Sequence, residues 1–263
     1  MLLKTFLKKN INNPFREEYK STFSRPVFNI KAEYNSIIPL TIYQTWSTKE
    51  LPPKMMENLE YNKFLNPEFK FVLYNDNDCR EFIKKNFDAE VLYAYDKLIP
   101  GAYKADLWRY CILYINGGIY MDIKFHCVNG FKFISLTEKE HFPTDVKISE
   151  YPSEHNKAVY NGFMVSLPKN QRLLNAINQV VKNVKNNYYG NSPLDPTGPV
   201  MLGKFFNYDE KQNSVTKRYV GKQGNGISIG GILILDEYDE YRKEQQKSQI
   251  HYNDYWKKKY IYI

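Results

Sequence analysis

The stretch PGAYKADLWRYCILYINGGIYMDIKF, residues 100–125, leaves few folds open to this chain. A long segment with an apolar stripe halts at two glycines and restarts at once as a β-rich run. Trp108, Cys111, Ile112 and Ile115 follow the i, i+3, i+4, i+7 spacing of one buried helix face. Gly117 and Gly118 stand where a left-handed residue ends a helix. Asp106 and Arg109, three apart, share another face. Such a pair is either an exposed ion pair worth little or a ligand clamp. Past the glycines, alternation puts Ile119, Met121, Ile123 and Phe125 on one side of a strand, and Tyr120, Asp122, Lys124 and His126 on the other. Asp122 and Lys124 then face the same way, roughly 7 Å apart along the strand.

The flanking segments fit an α/β fold. IIPLTIYQTW (37–46) and FKFVLYNDND (69–78) read as strands, rich in β-branched and aromatic residues. Between them LPPKMMENLEYNKFLNP reads as a helix opened by proline and closed before Pro67. DCREFIKKNF gives a short helix, and this β-α-β-α order favours a mostly parallel sheet with crossover helices. Downstream, YNGFMVSLP is a strand, KNQRLLNAINQVVKNVKNN an amphipathic helix, DPTGPVMLGKFF a turn entering a helix, and ISIGGILILDEY one late strand. The NDND run (75–78) has carboxylates at Ca²⁺-like spacing, but lacks the glycine and final glutamate of an EF-hand loop and reads as a turn. GNGISIGG lacks a dinucleotide fingerprint.

The 263 residues suffice for one large domain, and the net charge of +8 points to anionic partners. The 23 tyrosines suit sugar and base binding, and also fit an A/T-biased genome such as that of a large DNA virus or a low-GC bacterium. Three cysteines without CxxC spacing argue against a disulfide framework or zinc site and for a reducing compartment; Cys111 and Cys127 fall in apolar runs as small core residues. No run approaches the roughly 18 apolar residues of a membrane span. The lysine-broken start does not read as a secretory signal. A cytoplasmic protein with at most peripheral membrane contact is expected. No nucleic-acid-binding signature is present. His126, His141 and His155 read as structural or surface residues.

IPLTIYQTW and KADLWRYCILYINGGIYMDIKF resemble the DxD-type glycosyltransferases that include yeast initiating mannosyltransferase-like proteins and clostridial glucosylating toxins. The likeness is specific from about Ile38 to Phe131 and looser through YNGFMVS, TGP and the HYNDYW tail. It implies a GT-A fold, a Rossmann-like mixed and mostly parallel sheet flanked by helices, with the donor at the strand carboxyl ends. It implies an N-terminal arm over 1–36 and a single domain over 37–263, with acceptor-side elaboration around 132–228. The implied activity is retaining hexosyl transfer from a UDP- or GDP-sugar to a glycan or glycosylated protein. The alternative is an inactive glycan- or nucleotide-binding relative.

By the same resemblance the donor-binding set is Trp46, Lys104, Asp106, Arg109, Tyr120, Asp122, Asn161 and Trp256, with Asp106, Arg109, Asp122 and Lys124 at the chemistry. Breaking the bond from anomeric carbon to phosphate oxygen leaves negative charge on the diphosphate, so a cation is needed there. The family's Mn²⁺ or Mg²⁺ would be held by Asp122 and His251. Here Lys124 stands where the second carboxylate should be, and a protonated lysine has no lone pair to offer a metal. Either Lys124 supplies the cation itself, or a metal remains on Asp122, His251 and phosphate oxygens, or Lys124 neutralises Asp122 in an inactive protein.

Overall fold

The computed structural model describes residues 28–145, 158–212, 214–220, 225–246 and 250–263. Most of the expected N-terminal arm and His155 lie outside them. In chain order the first elements are β1 (Thr41–Thr45), α1 (Pro53–Leu65), β2 (Lys70–Tyr74), α2 (Asp76–Asn86), α3 (Ala89–Lys97), α4 (Gly101–Asn116), β3 (Gly118–Met121) and β4 (Phe125–Cys127). After a 3₁₀ turn at Phe133–Leu136 come β5 (Phe163–Ser166), α5 (Gln171–Lys185), α6 (Pro199–Gly203), α7 (Tyr208–Gln212), β6 (Thr216–Val220), β7 (Asn225–Ile229), β8 (Ile232–Glu237), α8 (Tyr241–Gln246) and α9 (Tyr252–Lys257).

The central sheet has the order β2-β1-β3-β5. β1 runs parallel to both β2 and β3, and β5 is antiparallel to β3. This is the expected mixed, mostly parallel sheet. The chain leaves β2, crosses three helices and returns on the other side of β1. That reversal makes the carboxyl ends of β1 and β3 a switch point, where open α/β sheets leave a crevice.

Alternation along the strands serves two cores. Tyr43, Tyr120 and Met164 pack with the helices, against Leu107, Trp108 and Cys111 of α4 and Ile177 and Val180 of α5. Ile42, Ile119, Met121, Phe163 and Val165 face the other way, onto Phe125, Phe131, Phe133, Ile227 and Leu235. Of these, Phe125, Ile227 and Leu235 belong to an antiparallel sheet, β4-β8-β7-β6, not expected from the sequence. The segment read as one late strand is the hairpin β7–β8, turning at Gly230–Gly231. β6 and α3 were likewise unread.

Two further expectations change. α4 is not buried along one stripe: Leu107, Trp108, Arg109, Tyr110, Cys111, Ile112 and Leu113 are all buried, because helices pack on one side of it and the sheet on the other. The NDND run caps a helix. The Asn75 carboxamide accepts from the Asp78 amide at 2.8 Å, and the Asp78 carboxylate accepts from the Asn75 amide at 3.2 Å.

α1 carries buried asparagines on its inner face at positions 58 and 62, continued by Asn66 just past its end. Asn58 Nδ2 donates to the carbonyls of Ile123 (2.9 Å) and Phe125 (3.0 Å). Asn62 donates to the Phe125 carbonyl at 2.8 Å and accepts from the Cys127 amide at 3.0 Å. Asn66 Oδ1 accepts from the Phe133 amide at 2.9 Å. Asn58 and Asn62 thus satisfy backbone groups of β4, which lies at the edge of its sheet, and Asn66 one of the 3₁₀ turn.

Two histidines tie this packing to pH. Burial pushes the His126 imidazole down to about 4; burial, with Lys139 nearby, does the same to His141, whose Nδ1 lies 2.9 Å from Thr216 Oγ1. Both stay neutral in the fold while the unfolded chain protonates near pH 6.5. Stability is therefore complete above about pH 6.5 and falls as pH drops towards 4, by on the order of 3 kcal/mol per imidazole. Urea midpoints at pH 7 and pH 4.5 should show this loss, and a His126→Leu protein should show a smaller one. Equal losses in the two proteins would dismiss His126 as a contributor.

Candidate functional site

α4 brings Asp106 and Arg109 to the sheet, and β3 ends directly beside them. The Arg109 guanidinium is the hub. Its Nη1 lies 3.5 Å from Asp106 Oδ1 and 3.5 Å from Asp122 Oδ1, and donates to the Asn161 carbonyl at 3.0 Å. Its Nε donates to the Ala105 carbonyl at 3.1 Å, and the ring centroid of Tyr120 lies 4.3 Å from the guanidinium carbon. Asp106 and Arg109 are both buried, so the exposed ion-pair reading fails.

The two carboxylates have different surroundings. Asp106 Oδ2 accepts from Thr197 Oγ1 at 2.7 Å and Oδ1 from Asn161 Nδ2 at 2.9 Å. Asp122 accepts from Tyr120 at 2.9 Å on Oδ1, and from Lys124 at 2.8 Å and Tyr160 at 3.3 Å on Oδ2. Burial raises Asp106 above the usual carboxylate range despite Arg109. At Asp122 burial pushes the same way, but Lys124 and Arg109 outweigh it and hold the carboxyl below that range. The Asp122 side chain is 21% exposed against 11% for Asp106, so Asp122 is the more accessible carboxylate.

Lys124 reaches Asp122 by a route other than strand alternation. β3 ends at Met121, and Asp122–Lys124 form a tight turn closed by the Phe125 amide donating to the Asp122 carbonyl at 3.1 Å. The Ile123 carbonyl, fixed by Asn58, sits in that turn. Burial would lower the Lys124 ammonium, but Asp122 and Tyr160 more than reverse this and hold it well above the ordinary lysine value.

The other expected donor residues are distributed unevenly. Tyr120 and Asn161 join the cluster, with Asn161 also donating to Tyr110 at 2.6 Å. Trp46 follows β1 and packs against the cluster of Met55, Ile123 and Tyr238. Lys104 lies over the Tyr95 ring at 5.3 Å, and its charge opposes the upward push of burial on the Asp76 carboxyl. Trp256 gives its indole N–H to the Tyr189 carbonyl at 2.7 Å. His251 is exposed and caps α9, accepting from the Asn253 amide at 3.3 Å.

The residues present do not form a divalent-metal site by themselves. A hard cation can be held by one or two carboxylates with substrate phosphates and waters supplying the other oxygens, provided those carboxylates are open to it. Among the described residues no three His, Cys, Asp or Glu side chains converge on one point. Lys124 holds an ammonium 2.8 Å from the Asp122 oxygen that would ligate it.

Residues not foreseen complete the site. Thr197 comes from the TGP turn, which shares the looser part of the resemblance but carries no expected role at the site. Tyr160 directly precedes the singled-out Asn161. Gly162 accepts from the Asp122 amide at 2.8 Å, and a Cβ on it would meet Tyr160 and lie 2.5 Å from Asp122 Oδ2. Gly162→Ala should therefore displace Asp122 and cost about 1–3 kcal/mol of stability, with loss of donor binding; calorimetric titration alongside thermal melting measures both. Arg218, on β6, pairs with buried Asp145 at 2.7 Å and lies 5.0 Å from the Tyr160 ring centroid. Asp145 and Arg218 stand 73 positions apart, and no linear signal joins them.

An arginine shared by one buried and one half-buried carboxylate, at the switch point of a mostly parallel sheet, makes this an α/β protein with a charged cluster at its strand carboxyl ends. Residues 52–143 match the family described as "Glycosyltransferase sugar-binding region containing DXD motif", and in this chain the motif reads Asp122-Ile123-Lys124. The chain is 37% identical over 98 residues to inositol phosphoceramide mannosyltransferase 3 of Schizosaccharomyces pombe, covering 37% of this chain and 27% of that protein. It is 38% identical over 93 residues to an uncharacterized glycosyltransferase, L373, of Acanthamoeba polyphaga mimivirus, covering 35% and 37%. A longer match, 26% identical over 208 residues, covers 77% of this chain and 48% of mannosyl phosphorylinositol ceramide synthase CSH1 of Saccharomyces cerevisiae. The chain thus spans about half or less of the length of these relatives. The solved PaToxG glycosyltransferase aligns with a TM-score of 0.47 at 15% identity, covering 67% of this chain and 70% of that one. No helix among the described residues is long and apolar enough to cross a membrane.

Proposed function

We propose that this chain is a GT-A-type hexosyltransferase, moving a hexose from a UDP- or GDP-sugar to a hydroxyl of a glycan or glycosylated protein, with retention. The observation that carries the reading is Arg109, 3.5 Å from each of Asp106 and Asp122 at the carboxyl end of β3. A buried guanidinium fixed by two carboxylates is rigid, so Asp122 can be pre-oriented towards sugar and ribose hydroxyls without reorganisation. Asp106 has its oxygens engaged by Thr197 and Asn161, which suits it to positioning Arg109. Trp46 at the end of β1 is the aromatic for the base. In this reading retention comes from acceptor attack on the face the diphosphate leaves; Asp106, buried with both oxygens engaged by Thr197 and Asn161, is poorly disposed to act as a nucleophile.

The relatives named as mannosyltransferases make mannose the first hexose to test, and inositol phosphoceramide a glycolipid acceptor to set beside protein-linked glycans. Loops within 132–228 would form the acceptor side. A thermal-shift screen against UDP-, GDP- and CMP-sugars, followed by donor hydrolysis, tests the reading. A protein that is stabilised by none of them, and hydrolyses none, is not this enzyme. Binding without any hydrolysis or transfer would favour the inactive binding relative, for which the closed Lys124–Asp122 pair is the supporting observation.

A further inference from the structure

We propose that Lys124, with Arg218 beside it, replaces the divalent metal as the cation that holds the donor diphosphate. The inference rests on the donor reading above and concerns only what neutralises the leaving group.

Charge arithmetic is the first argument. Asp106 and Asp122 oppose Arg109 and Lys124, so the cluster is neutral. An aspartate at 124 would leave it two units negative, the deficit that one divalent ion fills. Lysine in place of aspartate changes the charge by those same two units. A metal added to the present set would meet an ammonium at the oxygen it needs.

Geometry is the second. Lys124 is only 13% exposed, lies 5.1 Å from the Phe125 ring centroid and 5.8 Å from that of Tyr160, and is fixed to Asp122 at 2.8 Å. An ammonium has three N–H donors. Asp122 accepts one of them at 2.8 Å and the Tyr160 ring centroid lies 5.8 Å away, which leaves a donor for an incoming oxygen. Arg218 approaches the same Tyr160 ring. Its Nη1 and Nη2 are held by Asp145 and Asn225, while its Nε is buried with no acceptor among the described residues. Lys124 and Arg218 thus lie against one ring, 5.8 and 5.0 Å from the Tyr160 centroid. Phosphate oxygens suit such cations, lysine as a compact point charge and arginine through its N–H fork.

In the transfer, the bond from anomeric carbon to phosphate oxygen breaks and its electron pair stays on the diphosphate. Lys124 donates a hydrogen bond to that oxygen without giving up its proton. The acceptor oxygen bonds to the anomeric carbon, and its proton leaves on the diphosphate.

Calorimetric titration with UDP-glucose and GDP-mannose, in EDTA and in Mn²⁺, tests this. The wild-type chain should bind its donor with affinities within about threefold in the two buffers. Lys124→Met should weaken binding about 100-fold in both, as expected when one member of a buried charge contact is removed. Lys124→Asp should lose as much in EDTA and regain at least about tenfold in Mn²⁺, because it recreates a two-carboxylate metal site. Arg218→Gln should weaken binding about tenfold whether or not metal is present. Circular dichroism checks that each variant is folded; if Lys124→Asp is not, Lys124→Met decides alone. Wild-type binding that needs Mn²⁺ and vanishes in EDTA overturns the proposal and leaves the donor reading standing, as does full affinity in Lys124→Met. Binding of neither donor in either buffer overturns the donor reading, and this inference with it.

Discussion

An Asp122→Ala protein is expected to lose sugar transfer by about 10³-fold or more, the scale seen when a preorganised polar group is removed from a reacting centre. Asp122 is the carboxylate of the cluster most open to a ligand, and four side chains aim at it: Tyr120, Lys124, Tyr160 and Arg109. Removing it frees Lys124 from its fixed position and, on the proposed reading, deletes the acceptor for the donor's hydroxyls. Asp122→Asn separates the two effects, since it keeps the shape but loses the charge that restrains Lys124. Steady-state rates with matched melting curves would establish the point. Turnover near wild type in either variant would remove Asp122 from the site.

Arg109→Met should have the largest effect on stability, a loss of about 3–5 kcal/mol on unfolding in denaturant, because breaking a buried ion pair leaves uncompensated charge. Here two carboxylates lose one cation. Asp106, already raised by burial, would take up a proton at higher pH still, so the variant should recover part of its stability as pH falls towards 5. The sign follows from linkage: the folded state then binds more protons than the unfolded one, and acid favours it. This rise opposes the histidine effect described above, and comparing the two proteins across the same pH range separates them. Arg109→Lys should restore little, since an ammonium cannot bridge both carboxylates, the Ala105 carbonyl and the Asn161 carbonyl at once.

The helix ending at Gly117 and the strand leading to Asp122 were legible because they depend on local rules, periodicity and a residue at φ 62°. So was the parallel sheet, from the order of its elements. The meeting of Lys124 with Asp122 was anticipated for the wrong reason. Alternation assumed a continuous strand, whereas the chain turns at 122–124 because α1 captures the Ile123 and Phe125 carbonyls with asparagine side chains. That capture spans more than sixty positions and leaves no periodic trace. Arg218, Asp145 and Thr197 escaped for the same reason: each contact they make in the site is long-range. The second sheet was hidden by short strands and by a hairpin whose glycine pair was read as part of one strand.

The asparagines of α1 have a consequence for how the molecule behaves among its copies. β4 would otherwise offer a row of bare amides and carbonyls to any passing chain, the usual template for edge-to-edge association. Asn58 and Asn62 fill that row with carboxamides, which carry the same donor and acceptor groups as a peptide bond. The helix in effect impersonates a missing strand, and the Asn58 carboxamide that fixes the Ile123 carbonyl in the turn before Lys124 also covers the sheet edge at Phe125.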